Sequence, residues 1–210
     1  MRDGLLLGGF LVGVLMSSVF VTEPIFSPGE CNEIIESVNK KKNIEFQNCC
    51  PPGVCRYAET EGLEEFHGQC GYNLRQSLSL QYDQFPFVFQ KFYDVAEYYN
   101  NKYYGFEIES VSEIHINKYA ASDRQLEAHI DWGHVLPTKR KITVSMSLSP
   151  LSAYEGGILS CYETDQPVIG AIEQGAATVF PSWTLHELSR VTSGERYSAV
   201  GWIVGTNSFR

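Results

Sequence analysis

Apolar and polar residues alternate strictly in the segment Lys141-Ile-Thr-Val-Ser-Met-Ser-Leu-Ser149. Successive side chains of a β-strand point to opposite faces, so the alternation predicts a strand with one apolar and one polar face. Pro150 ends the pattern, and the pair Gly156-Gly157 soon follows it. Both features are typical of the turns that separate short strands.

Five further strands are predicted downstream of residue 105, and one more opens the domain. They cover residues 111–119, 158–162, 170–172, 177–180 and 197–204, with residues 19–26 as the first strand. Short strands at this spacing, separated by turn residues, are typical of a two-sheet β-sandwich or jelly roll.

Two helices are predicted in the first half of the chain. The first begins at Ser27-Pro28-Gly29-Glu30, where serine can cap the helix and glutamate can reach back to it. It should end near residue 39 or 40. Aromatic and aliphatic residues at helical spacing predict a second helix over 87–104, with Gly105 as its stop. The predicted fold is therefore α+β, mainly β, with N-terminal helices packed on one sheet.

Composition and charge limit the possible functions. The chain has 210 residues, which is enough for one domain, and its formal net charge is -9. Affinity for nucleic acid comes mainly from neutralising phosphates, so such an acidic chain is not expected to bind nucleic acid.

The N-terminus is an apolar segment, residues 1–18, ahead of a single domain over 19–210. Apolar residues run almost unbroken from Leu5 to Val21 behind Arg2. The segment is slightly short for a membrane span. It fits a signal peptide or a membrane anchor, or Met16 is the true start. Membrane contact and secretion thus stay open, as does a cytoplasmic location.

A Cys-rich excursion interrupts the domain at residues 47–72. It contains Cys49, Cys50, Cys55 and Cys70. These cysteines fit disulfides in a secreted protein and free thiols in a cytosolic one. A zinc site that includes His67 is a third possibility, although the spacing matches no standard finger.

His129, Asp131 and His186 are the candidate metal ligands. Residues i and i+2 of a strand point to one side, so His129 and Asp131 can face the same ion. If His186 arrives from a neighbouring strand, two imidazoles and one carboxylate occupy one face of the metal. That arrangement suits iron(II) oxygen chemistry, although zinc enzymes use the same ligand types.

Arg196 follows His186 by ten residues and is the candidate anchor for an anionic co-substrate. A dicarboxylate that chelates a metal through one end needs a cation at its other end. The planar guanidinium of arginine matches a carboxylate with two parallel hydrogen bonds.

Residues 113–205 resemble the catalytic domain of 2-oxoglutarate/Fe(II) dioxygenases of the prolyl 4-hydroxylase type, including the PKHD-type hydroxylases. The matching motifs are His129-Ile-Asp131, Tyr154-Glu-Gly-Gly157, Phe180-Pro-Ser182, His186, and Gly194-Glu-Arg196-Tyr-Ser198 with Trp202. The opening Phe26-Ser-Pro-Gly-Glu-Cys31 also resembles the start of the family's domain.

The resemblance implies a distorted double-stranded β-helix that uses Fe(II), 2-oxoglutarate, O2 and L-ascorbate. It implies that His129, Asp131 and His186 bind the metal and that Arg196 binds the distal carboxylate of 2-oxoglutarate. Tyr119 matches a tyrosine that hydrogen-bonds the co-substrate, and Ser198 is a weaker candidate for the same role.

Two positions depart from the family pattern. Ile158 follows the paired glycines where the family often has glutamate, and Arg196 stands where animal collagen enzymes use lysine. The second difference places the chain nearer the microbial branch of the family.

The expected reaction is hydroxylation of a substrate C–H bond coupled to conversion of 2-oxoglutarate to succinate. The leading substrate is a peptidyl residue such as proline. A free amino acid or another small metabolite is an alternative, as are a non-catalytic jelly-roll binding module and a zinc hydrolase. The sequence does not predict an oligomeric state.

Overall fold

The computed structural model describes residues 17–40, 47–48, 75–123, 125–132 and 139–206. The helices are α1 (Pro28–Lys40) and α2 (Pro86–Tyr99), and α2 continues into a π-helical turn at Asn100–Tyr104. The first strands are β1 (Phe20–Val21), β2 (Gln47–Asn48), β3 (Gln76–Ser79), β4 (Ile108–Ala120), β5 (Leu126–His129) and β6 (Arg140–Ser147). They are followed by β7 (Tyr154–Gly156), β8 (Leu159–Tyr162), β9 (Val168–Ile169), β10 (Ala177–Pro181), β11 (Leu185–Leu188) and β12 (Val191–Gly205).

Two antiparallel sheets face each other. The larger sheet has the order β1-β10-β6-β12-β4-β3-β2, with β7 paired to one end of β12. The smaller sheet has the order β5-β11-β8-β9. This arrangement confirms the predicted β-rich fold with two helices, and it is a double-stranded β-helix.

The helices cover one face of the larger sheet. The cap of α1 is the predicted reciprocal one: the backbone N–H of Ser27 donates to Glu30 Oε2 at 2.8 Å, and that of Glu30 donates to Ser27 Oγ at 3.3 Å. Buried side chains from both helices and the sheet form a single core cluster, to which Cys31 contributes as a free thiol. This cluster includes Phe26, Ile34, Val88, Phe92, Ile114, Ile142, Val144, Met146, Ala199 and Ile203.

Both faces of β6 are buried. Its apolar residues pack towards the helices, whereas the polar residues that alternate with them, including Thr143 and Ser145, are also buried and line a cavity between the sheets. The alternation of the sequence therefore predicts the strand correctly. The polar face belongs to the cavity because the smaller sheet covers it.

Several predicted boundaries differ from the structure. Residues 170–172 are not a strand; the strand lies earlier, at Val168–Ile169. The first strand is only Phe20–Val21, not 19–26. The strands β5 and β11 were not among the ranges predicted from sequence, although the metal-ligand hypothesis assumed a strand at His129 and another at His186.

The apolar residues 1–16 and nearly all of the Cys-rich excursion, with Cys49, Cys50, Cys55 and Cys70, lie outside the described residues. The hypotheses about a leader, disulfides or a zinc site therefore stay predictions. Among the described helices, none combines the length and the apolar character that crossing a bilayer requires.

Gly201 allows α2 to pack closely on β12. A Cβ added at this position would lie 2.7 Å from a ring carbon of Phe92 and 3.0 Å from Ile114 Cγ1. Phe92 and Ile114 are both fully buried, so neither side chain has free space into which to move.

We expect Gly201→Ala to lower the free energy of unfolding by about 1–3 kcal/mol, because it overpacks this contact. Gly29→Ala is the matched control, since the nearest atom to its added Cβ would be Ser27 Oγ at 3.9 Å. It should change stability by less than about 0.5 kcal/mol. Urea unfolding measures both, and equal stabilities of the two variants would contradict the packing argument.

Candidate metal centre and ligand cavity

Strand pairing brings the two histidines together. His186 of β11 lies directly opposite His129 of β5 in the antiparallel pair, and their ring centroids are 4.3 Å apart. Asp131 lies two residues beyond His129, just past the end of β5. Its backbone N–H donates to Ser182 O at 2.9 Å, which holds the chain close to the residues that precede β11.

The three side chains converge on one point. His129 Nε2 lies 3.7 Å from Asp131 Oδ1, and His186 Nε2 lies 3.8 Å from Asp131 Oδ2. One nitrogen or oxygen from each residue lies within 4.8 Å of the others. Two atoms that each lie about 2 Å from a shared ion are at most about 4 Å apart, and the separations of 3.7 and 3.8 Å from Asp131 are within this limit, so the trio is able to hold a metal.

Backbone carbonyls orient both imidazoles. His129 Nδ1 lies 2.8 Å from Glu127 O, and His186 Nδ1 lies 2.9 Å from Thr184 O. A carbonyl accepts only, so Nδ1 carries the proton in each ring and Nε2 keeps a lone pair for a metal. Burial, followed by the nearby His186, lowers the pKa of His129, and this favours the neutral ring that a metal needs.

The carboxylate of Asp131 is held by a hydroxyl. Thr143 Oγ1 on β6 donates to Asp131 Oδ2 at 2.8 Å and lies 3.1 Å from Ser182 Oγ. Thr143 and Ser182 are fully buried. A residue of the larger sheet thus fixes the orientation of the Asp131 side chain, which lies just past a strand of the smaller sheet.

Arg196, Tyr119 and Ser198 line the same cavity as the three metal-ligand candidates. Arg196 stands directly opposite Tyr119 in the β12–β4 pair, and its guanidinium carbon lies 5.6 Å from the Tyr119 ring. Arg196 is 3% exposed, and its Nε has no hydrogen-bond partner among the described residues. Ser198 is buried on the same face of β12. The structure therefore brings together all six residues that the sequence singled out.

Gly157, in the predicted motif of paired glycines, packs against Arg196. A Cβ at this position would lie 2.7 Å from Arg196 Cδ and 3.0 Å from Val191 Cγ2. Its backbone has a φ of +61°, which L side chains rarely adopt. The glycine therefore leaves room for the stem of the arginine that reaches into the cavity.

A charged cluster supports the side of the cavity near Asp131. Trp202 lines the cavity, and the guanidinium carbon of Arg140 lies 3.8 Å from its ring centroid. Arg140 also forms an ion pair of 2.5 Å with Glu113. Hydrogen bonds from His115 and Arg140 lower the pKa of Glu113 to about 2. Trp202 Nε1 is buried, and no residue in the described part of the chain is its hydrogen-bond partner.

Several cavity residues were not predicted from the sequence. They are Arg75, Asn117, Thr143 and Ser145. Thr143 and Ser145 could have been found from the polar face of β6, and Asn117 from its position two residues before Tyr119. Arg75 had no such signal, because it adjoins the irregular Cys-rich segment.

The sequence comparisons place part of the chain in a known superfamily. Residues 114–204 match the profile of the 2OG-Fe(II) oxygenase superfamily. A PKHD-type hydroxylase from Parvibaculum lavamentivorans is 44% identical over 62 residues, which cover 30% of this chain and 28% of that protein. A PKHD-type hydroxylase from Idiomarina loihiensis is 30% identical over 93 residues, covering 44% of this chain and 42% of that protein. The chain thus spans less than half the length of these curated relatives.

The structural comparison extends over nearly the whole chain. A prolyl hydroxylase from Trichoplax adhaerens, solved in complex with a hypoxia inducible factor peptide fragment, has a TM-score of 0.69 at 15% identity. The alignment covers 90% of this chain and 84% of that one. At such low identity, this likeness supports the fold alone. Residues 114–204, which include the converging His129, Asp131 and His186, are thus similar to the 2OG-Fe(II) oxygenase superfamily, and the chain as a whole is similar in fold to prolyl hydroxylases.

Proposed function

We propose that this protein is a 2-oxoglutarate-dependent iron(II) dioxygenase that hydroxylates a C–H bond of its substrate. The observation that carries the proposal is the convergence of two imidazole nitrogens and one carboxylate within 4.8 Å. Two histidines and one carboxylate on one face leave further coordination positions for a co-substrate and oxygen. When bound, iron(II) supplies the oxygen activation, with 2-oxoglutarate as the electron donor.

In this proposal His129, Asp131 and His186 hold the iron. The carbonyls of Glu127 and Thr184 keep both histidines in the tautomer that offers Nε2 to the ion. Thr143 donates a hydrogen bond to one oxygen of Asp131, which would keep the carboxylate oriented towards the ion.

Arg196 is proposed to bind the distal carboxylate of 2-oxoglutarate. A buried donor without a partner costs free energy, and Arg196 Nε has no partner in the part of the chain that the structure describes. A carboxylate in the cavity would satisfy it. Tyr119, which lies across the strand pair, and Ser198 are the hydroxyl groups available beside that carboxylate. L-Ascorbate is expected to sustain activity by keeping the iron reduced.

The cavity wall limits the access of water to the reacting groups. Apolar residues from both sheets line it beside the metal centre: Leu126, Leu159, Phe180 and Leu188. The ring of Phe180 lies 4.9 Å from that of His186, centroid to centroid. Water exclusion strengthens the electrostatic contacts that Arg196 makes with a bound anion.

The proposed substrate is a peptidyl residue, with proline the first choice. The support is that the similar proteins are named PKHD-type and prolyl hydroxylases, and that one structural neighbour was solved with a peptide. A free amino acid or small metabolite is the alternative substrate.

Incubation with iron(II), ascorbate, 2-oxoglutarate and a panel of proline-containing peptides should produce succinate above the enzyme-free blank. His129→Ala and Asp131→Ala should each abolish turnover and weaken Mn(II) binding, because each removes a ligand of the ion. Calorimetry with Mn(II) and succinate quantification provide the two readouts. Full turnover by either variant would refute the assigned metal centre.

Arg196→Gln should weaken 2-oxoglutarate binding by about tenfold to a hundredfold, the range expected for lost charge-assisted hydrogen bonds. Arg190→Gln is the control, because Arg190 is exposed and donates to Ala121 O instead of lining the cavity. Anaerobic titration of the metal-loaded protein with 2-oxoglutarate gives the affinities. Equal affinities in the two variants would rule out the anchoring role.

Thr143→Val should weaken metal binding by about tenfold or more, because it removes the donor that orients Asp131. Thr143→Ser keeps the hydroxyl and should restore the affinity. Mn(II) titration of both variants, with thermal unfolding to show that each is folded, provides the comparison. If serine and valine behave alike, the hydroxyl does not position the carboxylate.

A further inference from the structure

The cavity contains a second guanidinium that the proposed mechanism does not use. Arg75 immediately precedes β3 and is half-buried, and it lines the cavity together with His129, Asp131 and Arg196. Its Nε donates to Asn117 Oδ1 at 3.0 Å, and Asn117 is itself buried on β4. The side chain is thus anchored in the cavity wall instead of extending freely into solvent.

The two arginines occupy different parts of the cavity. Arg196 belongs to β12 and Arg75 adjoins β3, and β4 lies between these strands in the larger sheet. Two strand spacings separate their backbones by about 10 Å. Arg75 is half-buried, whereas Arg196 is 3% exposed. Arg196 is therefore the deep cation and Arg75 the outer one.

The charge of Arg75 has no partner of opposite sign in the described part of the chain. No carboxylate there forms an ion pair with it, and no described acceptor is found for its Nη groups beyond the bond that Nε makes to Asn117. The protein as a whole carries a formal charge of -9, which repels anions. A cation in the cavity wall opposes that repulsion at one place.

We propose that Arg75 is a specificity-determining residue that binds a carboxylate of the primary substrate. This inference rests on the proposed function, in which the two carboxylates of 2-oxoglutarate are already taken by the metal and by Arg196. The outer guanidinium then remains for an anion that enters from solvent. Its fork can bind a carboxylate through two hydrogen bonds. The substrate is accordingly a peptide with a carboxylate, from an acidic side chain or its C-terminus, close to the residue that is hydroxylated.

Matched pairs of ligands test this proposal without requiring turnover. Each pair consists of a proline-containing peptide with a glutamate or a free C-terminus and the same peptide with glutamine or a C-terminal amide. L-Proline and L-prolinamide form a further pair, which separates a small substrate from a peptide. Calorimetry under anaerobic conditions measures their binding to the full chain loaded with Mn(II) and 2-oxoglutarate.

In the unmodified protein the acid of at least one pair should bind about tenfold or more tightly than its amide. Arg75→Gln should remove this difference, Arg75→Lys should retain part of it, and Arg190→Gln should leave it intact. The affinity for 2-oxoglutarate should stay unchanged in Arg75→Gln, which separates this residue from Arg196. If a peptide pair is turned over, Arg75→Gln should raise the KM for the acid and leave the KM for the amide unchanged.

Two outcomes would overturn the proposal. One is that no pair shows tighter binding of the acid to the unmodified protein, or that the difference survives in Arg75→Gln. The other is that Arg75→Gln weakens 2-oxoglutarate binding as Arg196→Gln does, which would make Arg75 part of the co-substrate site. Failure of the proposed function is a different result, since the unmodified protein would then bind no 2-oxoglutarate and form no succinate.

Discussion

The register between β5 and β11 is the constraint on which the candidate metal centre depends. It sets His186 opposite His129, and the bond from Asp131 N to Ser182 O brings the carboxylate to the same point. A shift of one residue in either strand would turn a histidine to the opposite face of the smaller sheet. The fold therefore determines the geometry of the three candidate ligands through backbone pairing.

The larger sheet supports two environments because its faces are covered differently. Helices α1 and α2 cover one face, which is apolar throughout the core cluster. The smaller sheet covers the other face, where Asn117, Thr143 and Ser198 are buried beside the cavity. Burial of these polar groups costs free energy unless they are hydrogen-bonded. Thr143 has its bond to Asp131, whereas Arg196 Nε and Trp202 Nε1 have none among the described residues. These two buried donors lower the stability of the fold, and a ligand that accepts their hydrogen bonds would restore it.

Long regular elements could be predicted from the sequence, and so could the residues of the recognisable motifs. The cap of α1 is encoded by Ser27 and Glu30, and β6 by its alternation. Of the four-residue strands, β8 was predicted, but the bounds and pairing of β5 and β11 were not, because distant chain segments determine how strands pair. For the same reason, sequence alone could not name the carbonyls of Glu127 and Thr184 as the acceptors that orient the histidines.

The sequence also does not reveal which charged residues the fold brings together. Net charge describes the whole molecule, whereas recognition depends on which charges the fold collects in one cavity. Here an acidic chain brings two arginines, 121 positions apart in sequence numbering from Arg75 to Arg196, to the walls of one cavity. One is buried beside Tyr119, and the other is half-buried and hydrogen-bonded to Asn117. If an anion binds at each arginine, as proposed, both anions occupy the cavity that His129, Asp131 and His186 also line, so the positions of the two cations limit which two molecules can enter it together.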